Sequence, residues 1–213
     1  MTANWDFVRG LEKFSLCDWP GRSVCVFFLS GCSMRCPTCH NQDLAWHPEL
    51  LPRLSREQGL TFLKKQTGWL DGVVISGGEP TEQPELPMFI EEIGRIGLPV
   101  KLDTNGMNPS VVAEMLRSEQ VSVVSVDLKG PFAKYPELTG GAVSREQAAD
   151  CLENLFALAA EHPERFEFRA TLVPALNSQD IEEMKNLLPA GLTLKLQPYM
   201  LPGRRHAHSY PQA

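Results

Sequence analysis

The chain has 213 residues, of which 43% are hydrophobic and 22% charged; that is the make-up of a soluble globular protein large enough to bury a core without disulfides. The longest relevant apolar run, 24–29, is only strand-sized, so no membrane-spanning helix is read. A net charge of −6 argues against nucleic acid or an anionic membrane as partner, and the absence of a basic stretch ahead of an apolar one at the start points to the cytoplasm.

Residues 1–22 precede the first predicted strand and read as an N-terminal extension. Six runs rich in Val, Ile, Leu and Phe follow, at 23–30, 72–76, 100–104, 121–128, 166–173 and 192–197. Helical patterns lie between them. Ser55-Arg56-Glu57-Gln58 and Ser144-Arg145-Glu146-Gln147 have the form of capping boxes, and Asn108-Pro109 supplies an N-cap and a first-turn proline. Over 144–160, Ala148, Cys151, Leu152 and Leu155 fall on one apolar stripe. Such alternation with short links predicts parallel strands, and six units are too few to close an eight-stranded barrel. The expected fold is α/β, an open (β/α)6 partial TIM barrel with a parallel sheet. It forms one domain over 1–213, with 198–213 as a tail that includes His206 and His208. The four tryptophans, Trp5, Trp19, Trp46 and Trp69, are expected to pack, and Cys17, Cys25 and Cys151 to serve as small core residues.

Chemistry in such folds sits at the C-terminal ends of the strands. Residues 31–41 follow the first run, Gly77-Gly78-Glu79-Pro80 the second, Asp103-Thr104-Asn105-Gly106 closes the third and Asp127-Leu128-Lys129 the fourth. Three of the six cysteines fall in the first of these segments, Cys32, Cys36 and Cys39, spaced Cx3Cx2C. Structural zinc and electron-transfer clusters want four protein ligands, whereas three thiolates wrap one face of a cubane cluster and leave one iron open for chemistry. A zinc site completed by His40 is the alternative, although a ligand directly after Cys39 is awkward for a tetrahedron. Gly77 and Gly78 allow backbone to approach a ligand, and Glu79 could accept hydrogen bonds from an ammonium. Asp127 and Lys129 also read as an ion pair capping strand ends. Arg169 shares a face with Glu167 and Thr171, where a buried charge needs a partner: a ligand carboxylate or an internal salt bridge.

The Cx3Cx2C spacing, with Ser76-Gly77-Gly78-Glu79-Pro80 behind it, resembles the radical S-adenosylmethionine (SAM) superfamily. That resemblance implies a [4Fe-4S] cluster on Cys32, Cys36 and Cys39, whose unique iron is chelated by the amino and carboxylate groups of SAM. One electron then cleaves the sulfonium C–S bond and yields a 5′-deoxyadenosyl radical. It implies that Gly77, Gly78 and Glu79 hold the methionine end of SAM. Thr38 meets the adenine through backbone, at a position usually aromatic in the superfamily. Lys129 contacts SAM, Arg169 is a candidate partner for its carboxylate, and Asp103, Thr104 and Asp127 are candidate ligands of a monovalent cation beside it.

The segment Leu11-Glu12-Lys13-Phe14-Ser15-Leu16-Cys17-Asp18-Trp19-Pro20-Gly21 carries a narrower resemblance. With it go Cys39-His40-Asn41, Lys101-Leu102-Asp103-Thr104-Asn105-Gly106, Leu172-Val173-Pro174 and Leu196-Gln197-Pro198. Together they are similar to the activating proteins of anaerobic ribonucleoside-triphosphate reductases, relatives of the pyruvate formate-lyase activating enzyme; Met200 stands where some of the latter have histidine. The implied reaction removes an α-hydrogen from a glycine of a partner glycyl radical enzyme, with an electron donor such as flavodoxin or ferredoxin. Cys17, Cys25 and Cys151 are scattered singly, which leaves no second cluster. Other readings are a radical SAM enzyme acting on a small molecule or another peptide, and an iron–sulfur or zinc module without catalysis.

Overall fold

The computed structural model describes residues 3–200; the tail from 201, with His206 and His208, lies outside the described residues. Seven strands form one sheet in chain order. They are β1 (Val8–Ser15), β2 (Val24–Leu29), β3 (Gly72–Gly77), β4 (Val100–Thr104), β5 (Val123–Asp127), β6 (Phe166–Leu172) and β7 (Leu194–Pro198). Strands β2 to β7 run parallel, and β1 lies antiparallel on the free edge of β2. Helices fill the crossovers: α1 (Gln42–Trp46), α2 (Arg56–Gln66), α3 (Leu86–Gly94), α4 (Pro109–Arg117), α5 (Tyr135–Leu138), α6 (Arg145–Glu161) and α7 (Ser178–Leu187). Strands β1 and β7 do not pair, so the barrel stays open.

The six predicted runs are the six parallel strands. The expectation for residues 1–22 is corrected: they hold an edge strand, so the sheet has seven strands and is mixed. Glu12, Lys13 and Phe14 are exposed in β1, and the register slips twice against β2. An edge strand with one solvated flank shows little alternation, and its pairing comes from the neighbouring β2 rather than from local pattern. Ser55 forms a full capping box with Gln58, whereas Ser144 accepts only from the Gln147 N–H. Two further expectations fail. Trp69 is 80% exposed, because Leu70 beside it is the residue that turns inward, and Cys17 is exposed in the β1–β2 turn.

The two faces of the sheet differ. Side chains such as Phe27, Ile75, Leu102, Val126 and Phe168 point outward and pack beneath the helices in the main core. Val24, Val26 and Val74 point inward and form a small second core with Trp19. Further round, strand alternation and register put Lys101, Asp103, Ser125, Asp127, Glu167, Arg169 and Lys195 on the inner face. The lumen is therefore apolar beside β2 and β3 and ionic beside β4 to β7.

Glu92 of α3 anchors the N-terminal segment. Its buried carboxylate accepts hydrogen bonds from the Ala3 N–H (3.1 Å), the Trp5 indole N–H (3.0 Å) and Arg56 Nε (2.9 Å). Trp5 then packs edge-on against Phe27 and Phe89. Burial opposes the charge of Glu92, but the bonds from Arg56, Trp5 and Ala3 outweigh it and hold its pKa below the usual glutamate value. Glu92→Ala should lower unfolding free energy by about 2–3 kcal/mol, read by denaturant titration, because the buried donors lose their acceptor. Since the folded pKa is depressed, the contribution of Glu92 is complete above about pH 4.3 and fades as pH falls through the folded value. The stability gap between wild type and Glu92→Gln should therefore narrow on acidification below that point.

Candidate active site

The chain leaves β2 at Leu29 and enters the cysteine loop. Arg35 organises that loop from within: its guanidinium donates to the carbonyls of Cys32 (2.7 Å) and Met34 (3.0 Å) and lies over the Trp46 ring. The indole N–H of Trp46 donates to the same Met34 carbonyl (2.8 Å), and Ser33 bonds through its N–H and hydroxyl to Glu82. The loop conformation is thus set by protein contacts. His40 is turned toward the end of the chain, with Nε2 2.7 Å from the Met200 carbonyl and its ring stacked on Tyr199. Among the described residues no three His, Cys, Asp or Glu side chains are gathered closely enough to hold a metal ion, and His40 lines the same cavity as the three cysteines.

The Gly77-Gly78 turn leans directly on this loop. Gly78 N–H donates to the Leu29 carbonyl and Glu79 N–H to the Gly31 carbonyl, both at 2.8 Å. A Cβ on Gly78 would stand 2.0 Å from the Gly31 carbonyl oxygen. One on Gly77, whose φ is +125°, would stand 2.3 Å from that of Leu29. The requirement for glycine thus arises from backbone meeting backbone.

Glu79 joins the turn to the end of β4. Its carboxylate, 1% exposed, accepts from the Thr81 N–H and hydroxyl, the Thr104 hydroxyl (2.7 Å) and the Asn105 N–H (2.7 Å). Burial pushes its pKa up against the pull of those four bonds. Asp103 takes Lys101 Nζ on Oδ1 and Arg169 Nη2 on Oδ2, the latter at 3.0 Å. For Arg169 the internal salt bridge is therefore present. Lys129 pairs with Asp127 at 3.1 Å. Burial works against the Lys129 charge, but the charge and hydrogen bond of Asp127, joined by Cys36 when it is a thiolate, more than offset this and raise the Lys129 pKa. The buried Tyr135 phenol accepts from the Lys129 backbone N–H. Burial also pushes the Cys32 thiol up to about 12 and raises that of Cys36, so iron must supply the charge that keeps them as thiolates.

All twelve residues singled out by sequence line one cavity at the C-terminal rim of the sheet: Cys32, Cys36, Thr38, Cys39, Gly77, Gly78, Glu79, Asp103, Thr104, Asp127, Lys129 and Arg169. Lys101, Asn105 and Tyr135 escaped the sequence reading as functional positions. Lys101 carried a usable signal, its i, i+2 spacing from Asp103 in a strand, which puts both on one face. Two buried N–H donors of lining residues have no protein acceptor, Asn105 Nδ2 and Arg169 Nε. Donors of this kind fit a ligand that brings acceptors, as the carboxylate and ribose hydroxyls of SAM do. Three thiols on one loop beside them fit a cluster with an open iron.

The fold and this rim define the class. The pattern of the Radical SAM superfamily matches residues 26–188, and the chain belongs to that superfamily. Its cofactors are accordingly a [4Fe-4S] cluster and SAM. Within the superfamily it groups with the glycyl-radical-enzyme activating enzymes. A Methanocaldococcus jannaschii protein assigned to that activity is 33% identical over 83% of this chain and 73% of its own length. The pyruvate formate-lyase-activating enzyme of Clostridium pasteurianum is 32% identical over 57% of this chain and 52% of its own. The 7-carboxy-7-deazaguanine synthase of Aquifex aeolicus is 31% identical over 80% and 79%. Among solved structures, Streptococcus suis SuiB shares the fold over 89% of this chain and 41% of its own, with a TM-score of 0.60 at 17% identity.

Two substitutions test the architecture of the rim. Gly78→Ala should cost about 3 kcal/mol and lower iron content after anaerobic reconstitution, because the clash is with a carbonyl that cannot swing away. Glu79→Ala should destabilise by a similar amount, about 3 kcal/mol, by orphaning buried donors, and should also weaken SAM binding. Thermal melting, iron analysis and equilibrium SAM binding read the three effects separately.

Proposed function

We propose that this chain is a single-domain activase that installs a glycyl radical on a partner enzyme in the cytoplasm, and that the partner is an anaerobic ribonucleoside-triphosphate reductase. The observation that carries the reading is the meeting of the three-cysteine loop, the Gly77-Gly78-Glu79 turn and the Asp127–Lys129 pair at one rim of an open barrel. The activating-enzyme relatives support the glycyl radical class, and the motif resemblance set out above supports the reductase as the partner.

When bound, cluster and SAM supply a carbon radical able to abstract an unactivated hydrogen. The protein's part is placement. Cys32, Cys36 and Cys39 would hold the cluster. Arg169 and Asn105 offer their free N–H donors to SAM, Lys129 adds a fixed positive charge, and the backbone at Thr38 meets the adenine. Glu79 and the two glycines hold the rim on which SAM rests. Access is from the side, because the outer edge of β7 is unpaired among the described residues. Leu172, Leu196 and Met200 are exposed there, giving apolar contact to a protein that must deliver a glycine loop. Cys17, Cys25 and Cys151 are not among the residues lining the cavity, and a donor such as flavodoxin or ferredoxin supplies the electron.

An anaerobic mixture with SAM, reductant and the reductase should show a glycine-centred EPR doublet. The doublet should vanish when the partner's glycine becomes alanine, and Cys36→Ala should abolish 5′-deoxyadenosine formation. The 7-carboxy-7-deazaguanine synthase relative favours a second reading, a small-molecule substrate. That reading prevails if a metabolite stimulates 5′-deoxyadenosine release while no glycyl radical enzyme gives the doublet.

A further inference from the structure

Lys101 is one of the largest fully buried side chains of the protein, 1% exposed, and its ammonium sits on Asp103 Oδ1. The other oxygen of Asp103 belongs to Arg169. Thr104 donates its hydroxyl proton to Glu79 and accepts from the Gly106 N–H. Asp127 is paired with Lys129. Each of the three side chains expected around a monovalent cation thus already has a protein partner, and two of the three partners of the carboxylates are cationic side chains on the inner face of the sheet. On β4 to β6 and the turn that follows β5, Lys101, Lys129 and Arg169 face Asp103 and Asp127, with buried Glu79 as the third carboxylate at the cavity, so the charges already balance without an added ion. A further cation at Asp103 would have to displace the Lys101 ammonium or the Arg169 guanidinium, or stand close beside both, where like charges repel.

The residues therefore do not fit a metal cation. We propose that the Lys101 ammonium stands in for it, so that this enzyme binds and cleaves SAM without K⁺ or Na⁺. Lys101 is a positioning residue. It fixes Asp103, Asp103 fixes Arg169, and Arg169 keeps its Nε–H free beside the cavity. A fixed ammonium does at this place what an exchangeable ion would do, with no dependence on the ion's concentration. The inference rests on the radical SAM reading of the same site.

The test uses the reconstituted protein with KCl titrated against choline chloride at a constant ionic strength of about 0.15 M. SAM binding is read from the change it causes in the EPR spectrum of the cluster, and cation binding independently from the thermal midpoint. Wild type should show the same SAM affinity and the same midpoint along the whole titration. Lys101→Met removes the charge and keeps most of the volume. In choline it should bind SAM about tenfold more weakly, the loss expected for one charge-assisted contact. KCl should restore that affinity along a saturable curve and raise the midpoint of the variant alone. A saturable K⁺ response of wild type in either readout overturns the proposal, and so does a variant whose weak SAM binding no monovalent cation restores. If the variant fails to fold or load its cluster, the wild-type titration decides. If wild type holds an iron–sulfur cluster yet neither binds nor cleaves SAM in any salt, the radical SAM reading itself fails, while the midpoint still reports whether a cation binds.

Discussion

Three chain segments that are far apart in sequence meet at Glu79, two through its carboxylate and one through its backbone N–H, and the geometry of the rim depends on that meeting. The turn after β3 supplies the carboxylate, the end of β4 supplies the Thr104 hydroxyl and the Asn105 N–H, and the backbone of Glu79 itself donates to the cysteine loop at Gly31. A carboxylate buried to this degree is tolerated only because its oxygens are surrounded by donors, and each donor belongs to an element the site needs in register. The two glycines before it bring the turn close enough for these bonds to form. Loop, turn and strand end are consequently tied to one another by hydrogen bonds.

The lumen beneath the rim is divided by chemistry. Beside β2 and β3 it is closed by Trp19, Val24, Val26 and Val74, as a small barrel core would be. Beside β4 to β6 it is closed by charges that satisfy one another. A chain of Lys101, Asp103 and Arg169 runs toward the cavity and ends on a guanidinium with a free donor. Such a network contributes little net stability, because desolvation offsets much of its Coulombic gain, and its value lies in the fixed orientation of its last member. Among the described residues the outer edge of β7 is unpaired, and Leu172 and Leu196 are exposed beside it.

The six parallel strands were legible in the sequence because buried strands in an α/β fold read as short runs of β-branched and aromatic residues between helix caps. The site was legible because cysteine spacing, a Gly-Gly-Glu turn and Asp residues at strand ends are local patterns. Strand β1 was not legible: Glu12, Lys13 and Phe14 look like loop until β2 offers its edge. Trp69 and Leu70 are adjacent apolar residues, and only the packing decides which one turns inward. By itself the sequence determined the order of the elements, the three-thiolate loop and the face each strand residue occupies, since these follow from covalent spacing and the twofold period of a strand. The tertiary structure alone decided which partner each buried charge would take. It made Glu79 the joint between two strand ends, and it set Lys101 and Arg169 on the two oxygens of Asp103, because hydrogen-bond partners across strands depend on register and distance that no single segment encodes.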